Sequence, residues 1–152
     1  MKIVSSAFKE GESIPAKYTC DGENVSPPLA WHEVPQNVKS FALIAHDPDA
    51  PGGDWVHWVV YHLPAHLAEI AEHVPPKEIL GSGAMQGRND FKKIGYGGPC
   101  PPSGTHRYYF RLYALDVGLP LHSGAARQDV ERAMKGHILG EAALMGKYMR
   151  RK

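Results

Sequence analysis

The sequence predicts a mostly β domain that ends in one helix. Three long apolar stretches, "KSFALIAHD", "DWVHWVVYHL" and "THRYYFRLYALD", show the alternation or the aromatic and β-branched content of strands. Thirteen prolines and sixteen glycines fall between short apolar runs, the punctuation of a β-rich chain with substantial loops. From about residue 127 to 149 the apolar period changes to three and four residues.

Taken in order, "KIVSSAF" reads as an opening strand, and residues 11–30 are turn-rich, with "CDGENVSPP" irregular. In "KSFALIAHD", Phe41, Leu43, Ala45 and Asp47 share one strand face. In "DWVHWVVYHL", strict alternation groups Trp55, His57, Val59 and Tyr61 against Val56, Trp58, Val60 and His62. Both faces are largely apolar, which predicts a central strand covered on both sides. "PAHLAEIAEHVPPKEI" has room for a short helical turn, and "GRNDFKKIGYGGPCPPSG" reads as a long ordered loop. "THRYYFRLYALD" places His106, Tyr108, Phe110, Leu112 and Ala114 on one face and Arg107, Tyr109, Arg111 and Tyr113 on a wetter one. Val130, Met134, Ile138, Ala142, Met145 and Met149 mark the amphipathic helix. Gly136, Gly140 and Gly146 each weaken it by roughly 1 kcal/mol relative to Ala, so packing must hold it.

A chain of 152 residues suffices for one domain with a real core, and the whole of 1–152 reads as that single domain. The net charge is +1 and both signs are dispersed, which argues against nucleic acid or an anionic membrane as partner. The basic run Arg150-Arg151-Lys152 reads as a solvated terminus. No apolar run approaches the ~20 residues of a membrane span, and no signal-peptide core is visible, so a cytoplasmic location is expected. Cys20 and Cys100 lack zinc spacing; they are expected as free thiols in a reducing compartment, with one bridge as the alternative.

Asp47, His57 and His106 share strand faces with apolar residues and lie near strand ends. A buried carboxylate is costly unless paired, and two histidines are its obvious partners. Tyr108 adds a phenol on the face of His106, and the loop "GYGGPCPPSG" offers unobstructed backbone N–H groups. Such donors converging on one spot make an anion site. The plainer reading is that each histidine is a satisfied core residue and that Asp47 caps the "DPDAP" turn. Two His and one Asp as a metal triad, or acyl transfer with Ser103 or Ser26, are less well supported. The chain has no Gly-x-Ser-x-Gly elbow, Walker loop, dinucleotide motif or His-Glu-x-x-His, and neither metal nor cofactor is expected.

The stretches "DPDAPGGDWVHWVV" and "GYGGPCPPSGTHRYYFRLYALD", with "NVSPPLAW" and "VERAMKGHILGEAALMGKY", cover most of the chain. They resemble the phosphatidylethanolamine-binding protein family, which includes Raf kinase inhibitor proteins, and its bacterial and archaeal branch most of all. The resemblance implies a large antiparallel sheet packed on a smaller one, with Greek-key connections, short peripheral helices and a small phosphate-binding pocket. By motif position Asp47, His57, His106 and Tyr108 are the pocket's polar residues, and Trp55, Gly98 and Pro102 its wall and loop. Asp49 and Arg107 also match the motif, with structural roles as fitting as functional ones. The family pattern further suggests a cis bond between Ala50 and Pro51. "GGD" replaces the longer eukaryotic segment before the tryptophan, so kinase inhibition is not carried over directly.

The expected function is a non-enzymatic binding module for a small phosphate-like anion or a phosphorylated partner, with a regulatory or inhibitory role. A second reading is a hydrolase or transferase using His57 and Asp47 as acid and base. A third is inhibition of a protease or kinase through a surface loop. Self-association as a homodimer stays open. Asp47 is expected to orient and charge a histidine rather than touch a dianion, since like charges repel.

Overall fold

The computed structural model describes residues 1–150; Arg151 and Lys152 lie outside the described residues. Its strands are β1 (Lys2–Val4), β2 (Leu29–His32), β3 (Ser40–Asp47), β4 (Trp55–Pro64), β5 (Glu69–Ile70), β6 (Met85–Gln86), β7 (His106–Leu115) and β8 (Ile138–Tyr148). A single-turn 3-10 helix (Ala16–Tyr18) and one α-helix, α1 (Arg127–Met134), accompany them. A small sheet has the order β1-β2-β5 and a large one the order β6-β4-β3-β7-β8, with every paired strand antiparallel. β3, β4 and β6 follow one another across the large sheet, and β7 returns beside β3, which is Greek-key order.

β3 sits mid-sheet, and all eight of its residues are buried. One face of the large sheet buries Phe41, Leu43, Trp58, Val60, Phe110 and Leu112 against Ile3, Leu29 and Trp31 of the small sheet. The opposite face buries Ala42, Ile44, Val59 and Tyr61 beneath Leu119 and α1, through Val130 and Met134. Each of the larger side chains contributes roughly 1.5–3 kcal/mol by leaving water.

Strict alternation along β4 does not hold. His46 pairs with Val56 but Ala45 pairs with Trp58, so His57 is an extra residue, a β-bulge. A second irregularity lies between the Leu43–Val60 and Phe41–Leu63 pairs, where His62 takes φ +56°. After the first bulge the faces exchange: Trp58, Val60 and Leu63 turn toward the small sheet, and Val56, Val59 and Tyr61 toward α1.

The C-terminal helix is far shorter than the sequence predicts. Gly136, at φ +85°, follows the end of α1 at Met134 in the left-handed conformation that stops helices. The chain then runs as β8 along β7 from Ile138 to Tyr148. Gly146 does permit a close approach: a Cβ there would lie 2.5 Å from Ile14 Cγ1 and 2.7 Å from Phe8 Cε2. The segment after Pro64 forms the short β5 rather than a helical turn. Arg150, expected in a loose terminus, reaches Asp21 at 3.2 Å.

The Ala50–Pro51 bond is not cis, since the described residues contain no cis peptide bond. Gly53 at φ +110° and its N–H donating to the Ala50 carbonyl at 3.0 Å turn the chain instead. Cys20 and Cys100 form a disulfide, contrary to the expectation of free thiols. Among the described residues no helix is long and apolar enough to cross a membrane.

Candidate functional site

The register of the large sheet assembles the site. β3 and β7 pair as far as His46 and Tyr109, so Asp47 and Tyr108 are next in line at the sheet's end. Asp47 also pairs with Trp55 at the start of β4, and the bulge carries His57 to the same side. A cleft of about 290 Å³ opens there. It is lined by Asp47, Trp55, His57, Pro102, His106 and Tyr108, together with Pro51, Asp54, Phe91, Cys100 and Pro101.

Gly98 does not line the cleft. Its N–H donates to Asn24 Oδ1 at 2.8 Å, and a Cβ would lie 2.3 Å from the Tyr18 carbonyl oxygen. This glycine lets the loop close on residues 18–24, and its amide is unavailable to a ligand. The Cys20–Cys100 bridge, Tyr96 Oη donating to the Tyr18 carbonyl and the Cys20 N–H donating to Pro99 hold the same junction.

The four polar residues are nearly enclosed: Asp47 is 3%, His57 5%, His106 7% and Tyr108 2% exposed. Asp47 Oδ2 accepts from His106 Nδ1 at 2.6 Å, and Oδ1 accepts from the Asp49 N–H at 2.7 Å. The carboxylate therefore serves the protein, as expected, but the histidine it orients is His106. His57 is held differently. Its Nδ1–H donates to the Gly97 carbonyl at 2.6 Å, and the Gly97 N–H donates back to the His57 carbonyl at 2.9 Å. Asp47 lies near His57 without bonding to it, and its pull toward the charged form does not decide that ring's state. Burial lowers the His57 pKa below the ordinary value, outweighing the opposite pull of the Gly97 carbonyl, Asp47 and Asp90.

Tyr108 packs its ring edge-on to His57, with centroids 5.2 Å apart. Its hydroxyl is buried and makes no hydrogen bond of good geometry among the described residues. Burial first, then the nearby Asp47 carboxylate, raises its pKa far above the ordinary tyrosine value, so it remains an O–H donor. Phe91 meets both Trp55 and His57 edge-on, at 5.6 and 5.4 Å, and the exposed Trp55 and Phe91 form an aromatic rim. No lysine or arginine lines the cleft among the described residues.

Asp49 and Arg107 have a structural task. Asp49 accepts from the Arg107 N–H, Nε and Nη2 at 2.8–2.9 Å, tying β7 to the "DPDAP" turn. Those bonds hold the Asp49 carboxyl at about 2, below its usual range.

A polar network behind the cleft has no counterpart in the sequence reading. His46 Nδ1–H donates to Asp54 Oδ1 at 2.7 Å, while its Nε2 accepts from Arg111 Nε at 2.8 Å. Arg127 of α1 donates to the other Asp54 oxygen. Burial works to raise the Asp54 pKa, but the bonds from His46 and Arg127 outweigh it and lower it. Asp54 thus stands ionised at the cleft rim, held from behind. The available signal was His46 itself, a polar residue continuing the buried Ala42–Ile44 face.

Two packed antiparallel sheets with a preformed polar cleft at the end of β3 and β7 define the class of protein. The family model for "Phosphatidylethanolamine-binding protein" matches residues 4–149, and the chain belongs to that family. It is 53% identical over 150 residues to a UPF0098 protein of Methanothermobacter thermautotrophicus, covering 99% of both chains. A UPF0098 protein of Aquifex aeolicus is 50% identical, with 99% of this chain and 89% of that one covered. Among solved structures it is similar to CT736 of Chlamydia trachomatis, described as a phosphatidylethanolamine-binding protein homologue. The TM-score is 0.91 and the identity 42%, over 99% of this chain and 97% of that one. E. coli YbcL, described as a member of the mammalian PEBP family, also superposes with TM-score 0.91, at 34% identity over 99% and 98% of the chains.

Proposed function

We propose that the chain is a binding module for a small phosphate-like anion, free or carried by a partner that it regulates or inhibits. The buried hydroxyl of Tyr108, which makes no hydrogen bond of good geometry and has only the Asp47 carboxylate near it, carries this reading. A buried donor so poorly met is costly, and a ligand oxygen in the cleft would supply a better acceptor. His106 supports it further. With Nδ1 on Asp47, its Nε2 has no protein partner among the described residues and can donate once the ring is protonated. Family membership agrees with a binding role.

Binding without turnover is the favoured form. Cys100 is in a disulfide, and no serine lines the cleft among the described residues. The acid–base alternative survives in altered form. Asp47 does not hydrogen-bond His57, so a catalytic pair would have to be Asp47 and His106.

Calorimetric titration with inorganic phosphate tests the reading. Tyr108→Phe removes one hydrogen bond to a charged oxygen and should weaken binding about tenfold or more. Equal affinity in the variant would contradict the role of Tyr108. Release of product from phosphomonoesters, esters or peptides, lost in His106→Ala, would favour the enzyme.

A further inference from the structure

We propose that the cleft is divided into a donor side, Tyr108 and His106, and an acceptor side, His57, and so selects an oxyanion that itself carries an O–H. The group it takes is a protonated phosphoryl, in inorganic phosphate or in the monoanion of a phosphomonoester. This rests on the anion-binding reading and specifies which anion.

The two histidines differ in what lies behind them. His106 is backed by a carboxylate, which balances the charge of an imidazolium and lets Nε2–H donate. His57 is backed by the neutral Gly97 carbonyl at 2.6 Å. A carbonyl only accepts, so it fixes the proton on Nδ1 and leaves Nε2 as a lone pair. Every element packed around His57 bears on its charge. Asp47 comes from β3, Asp54 from the turn before β4, Asp90 from the loop after β6, and His106 and Tyr108 from β7. Asp47, Asp90 and the Gly97 and Gly98 carbonyls favour protonation of the ring, but its burial prevails and favours the neutral form in the unliganded cleft.

A neutral acceptor tolerates a ligand O–H and repels a bare anionic oxygen. No lysine or arginine lines the cleft to offset that repulsion among the described residues, and Asp54 stands at the rim. The nearby Arg107 is committed to Asp49. Inorganic phosphate near neutrality always retains at least one O–H, whereas sulfate and a phosphodiester retain none. A site built to bond a ligand O–H rejects analogues lacking it because its own buried polar group is then unpaired.

The test is calorimetric titration of the intact, disulfide-bonded protein with inorganic phosphate, sulfate, methyl phosphate and dimethyl phosphate. At pH 7.5 sulfate and dimethyl phosphate should bind on the order of tenfold or more weaker than phosphate. As the pH is lowered until His57 takes up a proton, below the ordinary histidine range, the sulfate deficit should narrow. Methyl phosphate should lose affinity above its second pKa, near 6, as the monoanion disappears. His57→Asn, whose amide can turn an N–H to the ligand, should bring sulfate within about threefold of phosphate at pH 7.5. Sulfate binding as well as phosphate to the unsubstituted protein at pH 7.5 would overturn the acceptor role and leave the anion reading intact. No heat from phosphate or any analogue would remove the anion reading and this inference together.

Discussion

Removing the Cys20–Cys100 bridge should destabilise the protein chiefly through its unfolded state. The double substitution Cys20→Ser, Cys100→Ser leaves the junction otherwise held. Gly98 still donates to Asn24, Tyr96 to the Tyr18 carbonyl, and residue 20 to the Pro99 carbonyl. What is lost is a constraint on a long loop. The cysteines are 80 residues apart, and loop-closure entropy for that length is about 4.5 kcal/mol at 25 °C. Measured bridges more often give roughly 2–4 kcal/mol. For a chain of this size each kcal/mol lowers Tm by roughly 2–4 °C, so a fall of roughly 5–15 °C is expected. The assay is thermal unfolding by circular dichroism without reductant, alongside thiol titration of the denatured, oxidised protein. The parent should show no free thiol. A bridge proven by titration, with a Tm within about 2 °C of the double variant, would refute the loop-constraint argument. Two free thiols in the parent would refute the bridge itself.

Stability should also depend on acid in a defined window. Burial lowers the pKa of His46, against the pull of Asp54, and likewise that of His57. Both stay neutral in the fold after the unfolded chain's histidines charge. Their contribution is therefore complete above about pH 6.5 and lost as pH falls through the native values. Urea midpoints measured from pH 8 to 5 should fall on the acid side, and an unchanged midpoint would contradict this. Gly98→Ala forces a Cβ to 2.3 Å from the Tyr18 carbonyl oxygen and 2.4 Å from Asn24 Oδ1. Overpacking of that kind costs about 1–3 kcal/mol, readable as a lower urea midpoint. Arg107→Ala breaks an exposed ion pair with Asp49 and should cost only about 1 kcal/mol or less. Its phosphate affinity should stay near the parent's, since Arg107 is committed to Asp49 and does not line the cleft; a roughly tenfold loss would contradict this.

The strands of the large sheet were legible because their residue types leave few options. "SFALIAHD" is buried throughout, and "THRYYFRLYALD" keeps one alternation from His106 to Ala114. The last strand was not. Its methionines and alanines satisfy a helical period, while the inward set Ala142, Leu144, Gly146 and Tyr148 is made weak by its glycine. The fact that this set packs on Phe8 and Ile14 is a tertiary one. Asp47, His57, His106 and Tyr108 could be named as a group, and the structure brings them to one cleft. Their pairing could not be read, because it depends on the bulge at His57 and on a loop that returns Gly97 to its Nδ1. His46 was passed over because the alternation that singled out Asp47 assigns its neighbour to the opposite face.

A crystal structure of the protein soaked with inorganic phosphate at pH 6.5 tests the central claim most directly. The account predicts one phosphate in the cleft, with oxygens within ~2.5–3.2 Å of Tyr108 Oη, His106 Nε2 and His57 Nε2. Phosphate bound only elsewhere, for example between Arg88 and Arg127 beside α1, with the cleft holding water alone, would contradict it.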